Sequence, residues 1–189
     1  MSEFNESEIK PNKIALRVSL LYTLYSVLLT YIMFFMGIDM NGKVDGLTKV
    51  FVYLLSYGPF FGIIFYAQRY HRDEQLNGYV SFGRAFSTGL RVALFSGLFL
   101  GIFMVLYYKV LNVTAFEKVI EQAQETLADS GKMEDDQIES AMSITKKMFI
   151  PMIMIGTVLG MAIFGCVFSL IGSFINKRER PFFVSAPEE

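Results

Sequence analysis

Side chains that could carry out chemistry are scarce in this sequence. It contains one histidine, His71, and one cysteine, Cys166, which lies inside an apolar run. A zinc site needs several ligands and a nucleophilic enzyme needs a base beside its nucleophile, so these two residues complete neither arrangement. We therefore expect no catalytic residue, no metal site, no cofactor and no enzyme activity, and we expect His71 to be a solvated loop residue.

Four apolar stretches without Asp, Glu, Lys, Arg or His are the most informative feature. They are residues 18–38, 50–68, 92–108 and 148–176. An ion-coupled transporter usually carries an ionisable group near the middle of the membrane, so this absence argues against a small proton-coupled exporter. Hydroxyl groups can still line a polar path, namely those of Tyr25, Thr30, Tyr57 and Thr157.

These stretches predict membrane-spanning helices. A span needs about 20 mainly apolar residues, and the third stretch reaches that length together with the residues from Ser81, which is a good N-cap. Continuous rather than alternating apolar character favours helices over barrel strands. We expect an all-α fold, an integral membrane four-helix bundle with a helical extracytoplasmic loop between helices 3 and 4. The expected segments are a cytoplasmic tail 1–13, a transmembrane domain 14–176 with helices at 14–38, 48–68, 81–108 and 148–176, a periplasmic loop 109–147 and a cytoplasmic tail 177–189.

Charge placement predicts the orientation. The charges of the 17 basic and 18 acidic residues nearly cancel, so the net charge does not indicate nucleic-acid binding. Every arginine lies in or beside the segments that precede helix 1, join helices 2 and 3, or follow helix 4, with Arg17 in the first turn of helix 1 and Arg84 and Arg91 in the first part of helix 3. Because cytoplasmic loops keep an excess of basic residues, we expect a multi-pass protein of the bacterial inner (cytoplasmic) membrane with both termini in the cytoplasm.

The long second loop reads as helical. Thr114 and Glu117 match a capping box, in which Thr114 would cap the amide of Glu117. An apolar stripe at helical spacing follows, namely Phe116, Val119, Ile120, Ala123 and Leu127. A second loop helix is expected from about residue 134 to residue 147.

Small residues at four-residue spacing predict close helix packing. They are Gly89, Ala93, Gly97 and Gly101 in the third helix and Gly156 and Gly160 in the fourth. Such residues let backbones approach where lipid supplies no hydrophobic drive, and the partner is a helix of the same chain or of a second chain. In the second helix, Gly58 and Pro59 predict a kink, which serves either packing or a functional hinge.

Three arginines near the expected cytoplasmic surface are candidates for lipid headgroup contacts. Arg84 and Arg91 are seven residues apart and share a helix face, and Arg17 begins the first helix. A guanidinium group can bind a phosphate through two hydrogen bonds. The alternative is that these arginines only anchor the topology.

The pattern resembles a bacterial membrane family known as domain of unknown function 4199. The residues that carry the resemblance are Gly78-Tyr79-Val80-Ser81-Phe82-Gly83-Arg84-Ala85-Phe86, Tyr107-Tyr108, Asn112, Phe149, Pro151 and Asn176-Lys177-Arg178, with an acidic helical loop between Asn112 and Phe149. The resemblance covers roughly Ile14 to Arg178. It implies a four-helix inner-membrane protein of Gram-negative bacteria and carries no activity, cofactor or catalytic residue.

The sequence therefore favours a non-enzymatic accessory or scaffold protein that acts through helix and loop interactions. Its partners would be membrane lipids and another membrane protein or a second copy of itself. A small transporter or channel for an unknown solute is the alternative, motivated by Gly58-Pro59 and the hydroxyl-bearing helices.

Overall fold

The chain is helical throughout its regular structure, as expected for an all-α fold. The structure is a computed structural model that describes residues 9–38, 44–129, 131 and 134–179, so most of the two expected tails lies outside the described residues. Within these residues, five α-helices follow one another: α1 Asn12–Phe35, α2 Gly46–Tyr70, α3 Phe82–Leu106, α4 Val113–Asp129 and α5 Asp135–Asn176. Single π-helical turns extend α2 over His71–Gln75 and α3 over Tyr107–Leu111.

Local sequence explains where α2 begins and ends. Asp45 is its N-cap and accepts hydrogen bonds from the backbone nitrogen of Thr48 at 3.0 Å and from Thr48 Oγ1 at 2.6 Å. These bonds favour the carboxylate and lower the pKa of Asp45 below its usual value. After the π turn, Asn77 and Gly78 adopt positive φ angles of 54° and 86°, and the Gly78 amide donates to the Arg72 carbonyl at 2.9 Å. Glycine adopts this left-handed conformation without steric cost, so the chain reverses here.

The fourth span is longer than the sequence suggested. The expected loop helix of residues 134–147 and the expected span of residues 148–176 form one continuous helix, α5, of 42 residues. The physical reason is that only Pro151 interrupts the junction, where it removes a hydrogen bond to the Lys147 carbonyl. Lys147 is exposed, so water can satisfy that carbonyl without ending the helix.

The described chain groups into two compact units, one made of residues up to Phe95 with those from Ala162 onward, and one made of Ser96–Met161. In the first unit, α1 packs through a buried face at helical spacing: Ile14, Ala15, Val18, Ser19 and Tyr22. The Tyr22 and Phe60 rings lie 5.2 Å apart, and Phe60 also contacts the Phe168 ring at 5.8 Å. Aromatic packing therefore joins helices α1, α2 and α5 in this unit.

In the second unit, α4 packs against the first turns of α5. Its apolar stripe meets Ile138 and Met142, with Phe149 at the edge of the cluster. The cap of α4 is Asn112 rather than Thr114, because the helix begins two residues earlier than the capping-box pattern suggested. Asn112 Oδ1 accepts a hydrogen bond from the Ala115 amide at 3.1 Å.

Candidate functional site

Buried polar side chains collect where the end of α2 meets the end of α5 in the first unit. We call this group the polar cap, and its members are Gln68, His71, Arg72, Arg84, Thr88, Ser169, Ser173 and Asn176. All except Arg84, which is half-buried, are buried. Burying a polar group is costly unless it is hydrogen-bonded, so its partners decide what the polar cap does.

Gln68 is the centre of the polar cap. Its Nε2 donates to the Ser169 carbonyl at 3.0 Å and to Ser173 Oγ at 3.1 Å, while its Oε1 accepts from Asn176 Nδ2 at 3.3 Å. Ser173 Oγ in turn donates to the Ser169 carbonyl at 2.5 Å. The amide of one α2 side chain thus bonds to three residues of α5, which fixes the register between the two helices.

Two glycines make room for this amide. A Cβ atom at Gly172 would overlap Gln68 Oε1, and a Cβ atom at Gly89 would overlap Ser169 Oγ and lie 2.8 Å from Gln68 Nε2. Both glycines are buried. The approach of the α3 and α5 backbones to Gln68 therefore requires glycine at both positions.

Arg72 extends the polar cap to the end of α5. Its Nη1 donates to the Asn176 carbonyl at 3.2 Å, and its Nε and Nη2 bond to the two Asp73 carboxylate oxygens at 2.6 and 3.0 Å. Asp73 also pairs with Arg69 at 3.5 Å. One guanidinium group therefore satisfies a carbonyl at the C-terminus of a long helix and keeps its own charge paired.

His71 is buried, so the expectation of a solvated loop residue was wrong. The reason is that α2 does not end at residue 68 but continues into the π turn, which carries His71 into the interior. His71 Nδ1 lies 2.5 Å from Gln75 Oε1, and Arg84 Nε donates to His71 Nε2 at 3.3 Å. Arg84 Nη2 donates to the Ile9 carbonyl at 2.6 Å.

The three candidate arginines have different environments. Two donors of Arg84 face protein acceptors, as described above, and Arg91 Nη1 bonds to Asn12 Oδ1. Arg17 is exposed on α1, one turn after the exposed Lys13. Arg84 and Arg91 both act on His71 from α3, and Arg84 points into the polar cap. The lipid headgroup contacts of the three arginines stay a prediction.

Some of the candidate packing residues lie against another helix, and others have open surroundings. A Cβ atom at Gly97 would lie 3.1 Å from the Val158 Cα, and one at Gly101 would lie 3.5 Å from the Met154 carbonyl oxygen. Ala93 is buried, and a Cβ atom at Gly165 would overlap its methyl group. By contrast, the open sides of Gly156 and Gly160 have no atom of the described chain within 4 Å of a Cβ atom.

Pro59 lies inside α2, which continues through it to Tyr70. A proline has no N–H for the carbonyl four residues before it, here that of Leu55. Tyr25 Oη donates to that carbonyl at 2.8 Å, and Tyr22 Oη donates to the next carbonyl, of Ser56, at 3.0 Å. Two hydroxyls of α1 thus satisfy the α2 backbone around the proline.

Gly58 precedes the proline and faces a shallow apolar groove. No atom lies within 4 Å of the position that a Cβ atom would take there.

The sequence contained a signal for the polar cap that composition alone does not reveal. Gln68 is the last residue of an apolar stretch, and α5 presents Ser169, Ser173 and Asn176 at spacings of four and three, which is one helix face. A buried amide next to such a face predicts an interhelical bond. Which helix supplies the amide depends on tertiary packing.

The residues that the structure describes are thus mainly helical, and four of their helices are long and apolar enough to cross a membrane, namely Asn12–Phe35, Gly46–Gln75, Phe82–Leu111 and Asp136–Asn176. Residues 17–178 match the family described as "Protein of unknown function (DUF4199)". The chain belongs to this family, which confirms the resemblance inferred from the sequence. Neither a curated protein nor a solved structure matches the chain.

Proposed function

We propose that this protein is a non-enzymatic accessory or scaffold protein of the membrane that acts by binding the transmembrane helix of another membrane protein. The open face of α5 carries this proposal. Gly156 is exposed and Gly160 half-buried, and a shallow groove runs along the same helix. The groove is lined by Thr145, Phe149, Met152, Ile153, Gly156 and Thr157.

The chemistry of this face suits a second helix. Glycines four residues apart allow close backbone approach, and hydroxyls such as that of Thr157 can bond across helices. Thr157 lines the groove and its Oγ1 donates to the Ile153 carbonyl at 2.7 Å, so this hydroxyl would act toward a second helix as an acceptor. The polar cap, in contrast, bonds within the chain, which supports a structural rather than a catalytic role for it.

Substitution by leucine tests the proposal. Gly156→Leu with Gly160→Leu should remove a partner that co-purifies in gentle detergent and should remove crosslinks from α5, because the added side chains fill the approach. Gly62→Leu is the matched control, since Gly62 is exposed on α2 with the same open surroundings. A protein that purifies alone as a monomer without crosslinks, or equal loss in both variants, would contradict the proposal.

A small transporter or channel is the second candidate. The observation that favours it is the proline break in α2, where the Leu55 carbonyl bonds to a side-chain hydroxyl that can exchange partners without unwinding the helix. Flux or conductance in reconstituted vesicles tests this candidate. Pro59→Ala restores the backbone hydrogen bond and should lower the flux. An unchanged flux would show that the proline break does not act as a hinge in transport.

We further propose that the protein lies in the bacterial inner membrane with both termini in the cytoplasm. The support is the placement of every arginine on the proposed inner side. Reporter fusions after Asn77 and after Lys132 test it. A cytoplasmic signal is expected at the first and a periplasmic signal at the second, and the reverse would overturn the topology.

Anionic lipid headgroups are the proposed lipid partners, with Arg17 and Arg91 as contacts. Arg84 is less suited because its Nε and Nη2 already donate to protein acceptors. Lysine substitution preserves charge for topology but loses the planar fork that binds phosphate. If Arg17→Lys with Arg91→Lys inserts normally and keeps the same amount of co-purified anionic lipid, the arginines serve only as topology anchors.

A further inference from the structure

We call the described residues before α1, residues 9–11, the N-terminal segment, and Ile9 joins this segment to the polar cap. The Ile9 side chain packs against the buried cluster of Leu76, Val80 and Ala85. Its carbonyl accepts the hydrogen bond from Arg84 Nη2 at 2.6 Å. Among the described residues, Ile9 is therefore held by an apolar contact and by a hydrogen bond from Arg84.

The same arginine defines the protonation state of His71. Arginine has only donors, so the bond from Arg84 Nε at 3.3 Å requires a lone pair on His71 Nε2. The proton of a neutral imidazole must then be on Nδ1, which donates to Gln75 Oε1 at 2.5 Å. The geometry corresponds to the neutral Nδ1–H tautomer.

Cations dominate the surroundings of His71. Arg84 and Arg91 act on it from α3, and Arg72 follows it in the π turn. The π turn also carries two carboxylates, of which Asp73 is engaged by Arg72 through both oxygens and Glu74 is exposed. On the other packed elements, the Ile9 carbonyl bonds to Arg84 and the Asn176 carbonyl bonds to Arg72, and both are neutral groups.

We propose that His71, Arg84 and the Ile9 carbonyl form a proton-sensitive latch that releases the N-terminal segment when His71 is protonated. Protonation places an N–H on Nε2, facing the N–H of Arg84 Nε, and adds a positive charge beside two arginines. The bond between them is lost and Arg84 moves away, which also breaks its bond to Ile9. Release uncovers Leu76, Val80 and Ala85. The latch does not depend on the partner proposed for α5.

The first test is an NMR measurement. Because the chain has one histidine, its signals belong to His71 without a separate resonance assignment. In the full-length protein labelled with ¹⁵N-histidine, the ring nitrogens should show the Nδ1–H tautomer at about pH 8 and the imidazolium at about pH 5. In Arg84→Lys, which lacks the guanidinium donor, the Nε2 shift should change. An Nε2–H tautomer in the parent at high pH would overturn the latch.

The second test follows the N-terminal segment itself. A nitroxide is attached to Lys10→Cys in a Cys166→Ala background, and its mobile fraction should rise about threefold from about pH 8 to about pH 5 as histidine titrates. His71→Gln keeps a neutral acceptor at every pH, so its mobile fraction should stay low and flat. A label at Lys109→Cys, also an exposed lysine, is the matched control and should not respond. An unchanged Lys10 label in the parent, or an equal response in His71→Gln, would refute the latch.

Discussion

Helix α5 takes part in two different kinds of helix contact. In the polar cap it offers backbone and side-chain acceptors to Gln68 and Arg72 of the α2 end. In the second unit, its Met154 and Val158 lie against the glycines of α3, Gly97 and Gly101, a contact that we call the glycine seam. The polar cap depends on directed hydrogen bonds and the glycine seam on the absence of side chains.

The difference shows two ways to join helices where lipid supplies no hydrophobic drive. A directed bond specifies register, because a shift by one residue leaves a buried group unpaired. Close approach gives dispersion contacts over a longer surface and tolerates small shifts. The polar cap should therefore be sensitive to lost polar atoms, and the glycine seam should be sensitive only to added methyl groups.

Gln68→Leu should have the largest effect because it removes three hydrogen bonds and takes away the donor to Ser173 Oγ and the acceptor for Asn176 Nδ2. We expect a loss of about 3 kcal/mol in the free energy of unfolding, since bonds between membrane helices contribute about 0.6 to 1.7 kcal/mol each. Unfolding in mixed detergent micelles measures it. The same change at the exposed Gln122 of α4 is the control, and equal effects would contradict the role given to the polar cap.

Gly89→Ala should overfill the polar cap. The new methyl group would overlap Ser169 Oγ, and overpacking of this kind costs about 1 to 3 kcal/mol. Gly83→Ala is the control on the same helix, because its Cβ position is open. That control measures the helix-propensity gain of alanine, about 1 kcal/mol, which is subtracted. A Gly89→Ala variant as stable as Gly83→Ala would show that the polar cap is loosely packed.

Gly97→Ala tests the glycine seam. Its Cβ atom would lie 3.1 Å from both the Val158 Cα and the Met161 Cβ, so the helices must separate by a few tenths of an ångström. We expect a net loss of about 1 kcal/mol after subtraction of the propensity gain seen in Gly160→Ala. A loss larger than that of Gly89→Ala would reverse the proposed ranking of the two regions.

Tyr25→Phe should have the smallest effect on the free energy of unfolding. It measures what one directed hydrogen bond outside the polar cap contributes. It removes the bond to the Leu55 carbonyl, at a cost of about 0.6 kcal/mol. In a Pro59→Ala background that carbonyl regains a backbone amide, so the cost of Tyr25→Phe should fall toward zero. A double-mutant cycle measures this coupling, and additive effects would show that the hydroxyl does not compensate for the proline.

The spans were predictable because a long apolar run has one stable arrangement in a membrane, a helix. The apolar stripe of α4 followed for the same local reason, and its cluster with Ile138 and Met142 lies on the expected face. The cap of α4 was assigned to Thr114 instead of Asn112, since both can accept a backbone hydrogen bond. The continuity of α5 was missed because proline favours a helix end without requiring one.

The sequence by itself determined the number and type of the long helices and the family. These properties depend on composition and spacing along single segments. Only the tertiary structure decided that His71 is buried, that Arg84 points inward and that Gln68 bonds to α5, because those outcomes depend on residues that are up to 108 positions apart in the chain. It also decided which small residues are covered, because equal four-residue spacing at Gly97 and Gly156 does not show which face another helix occupies.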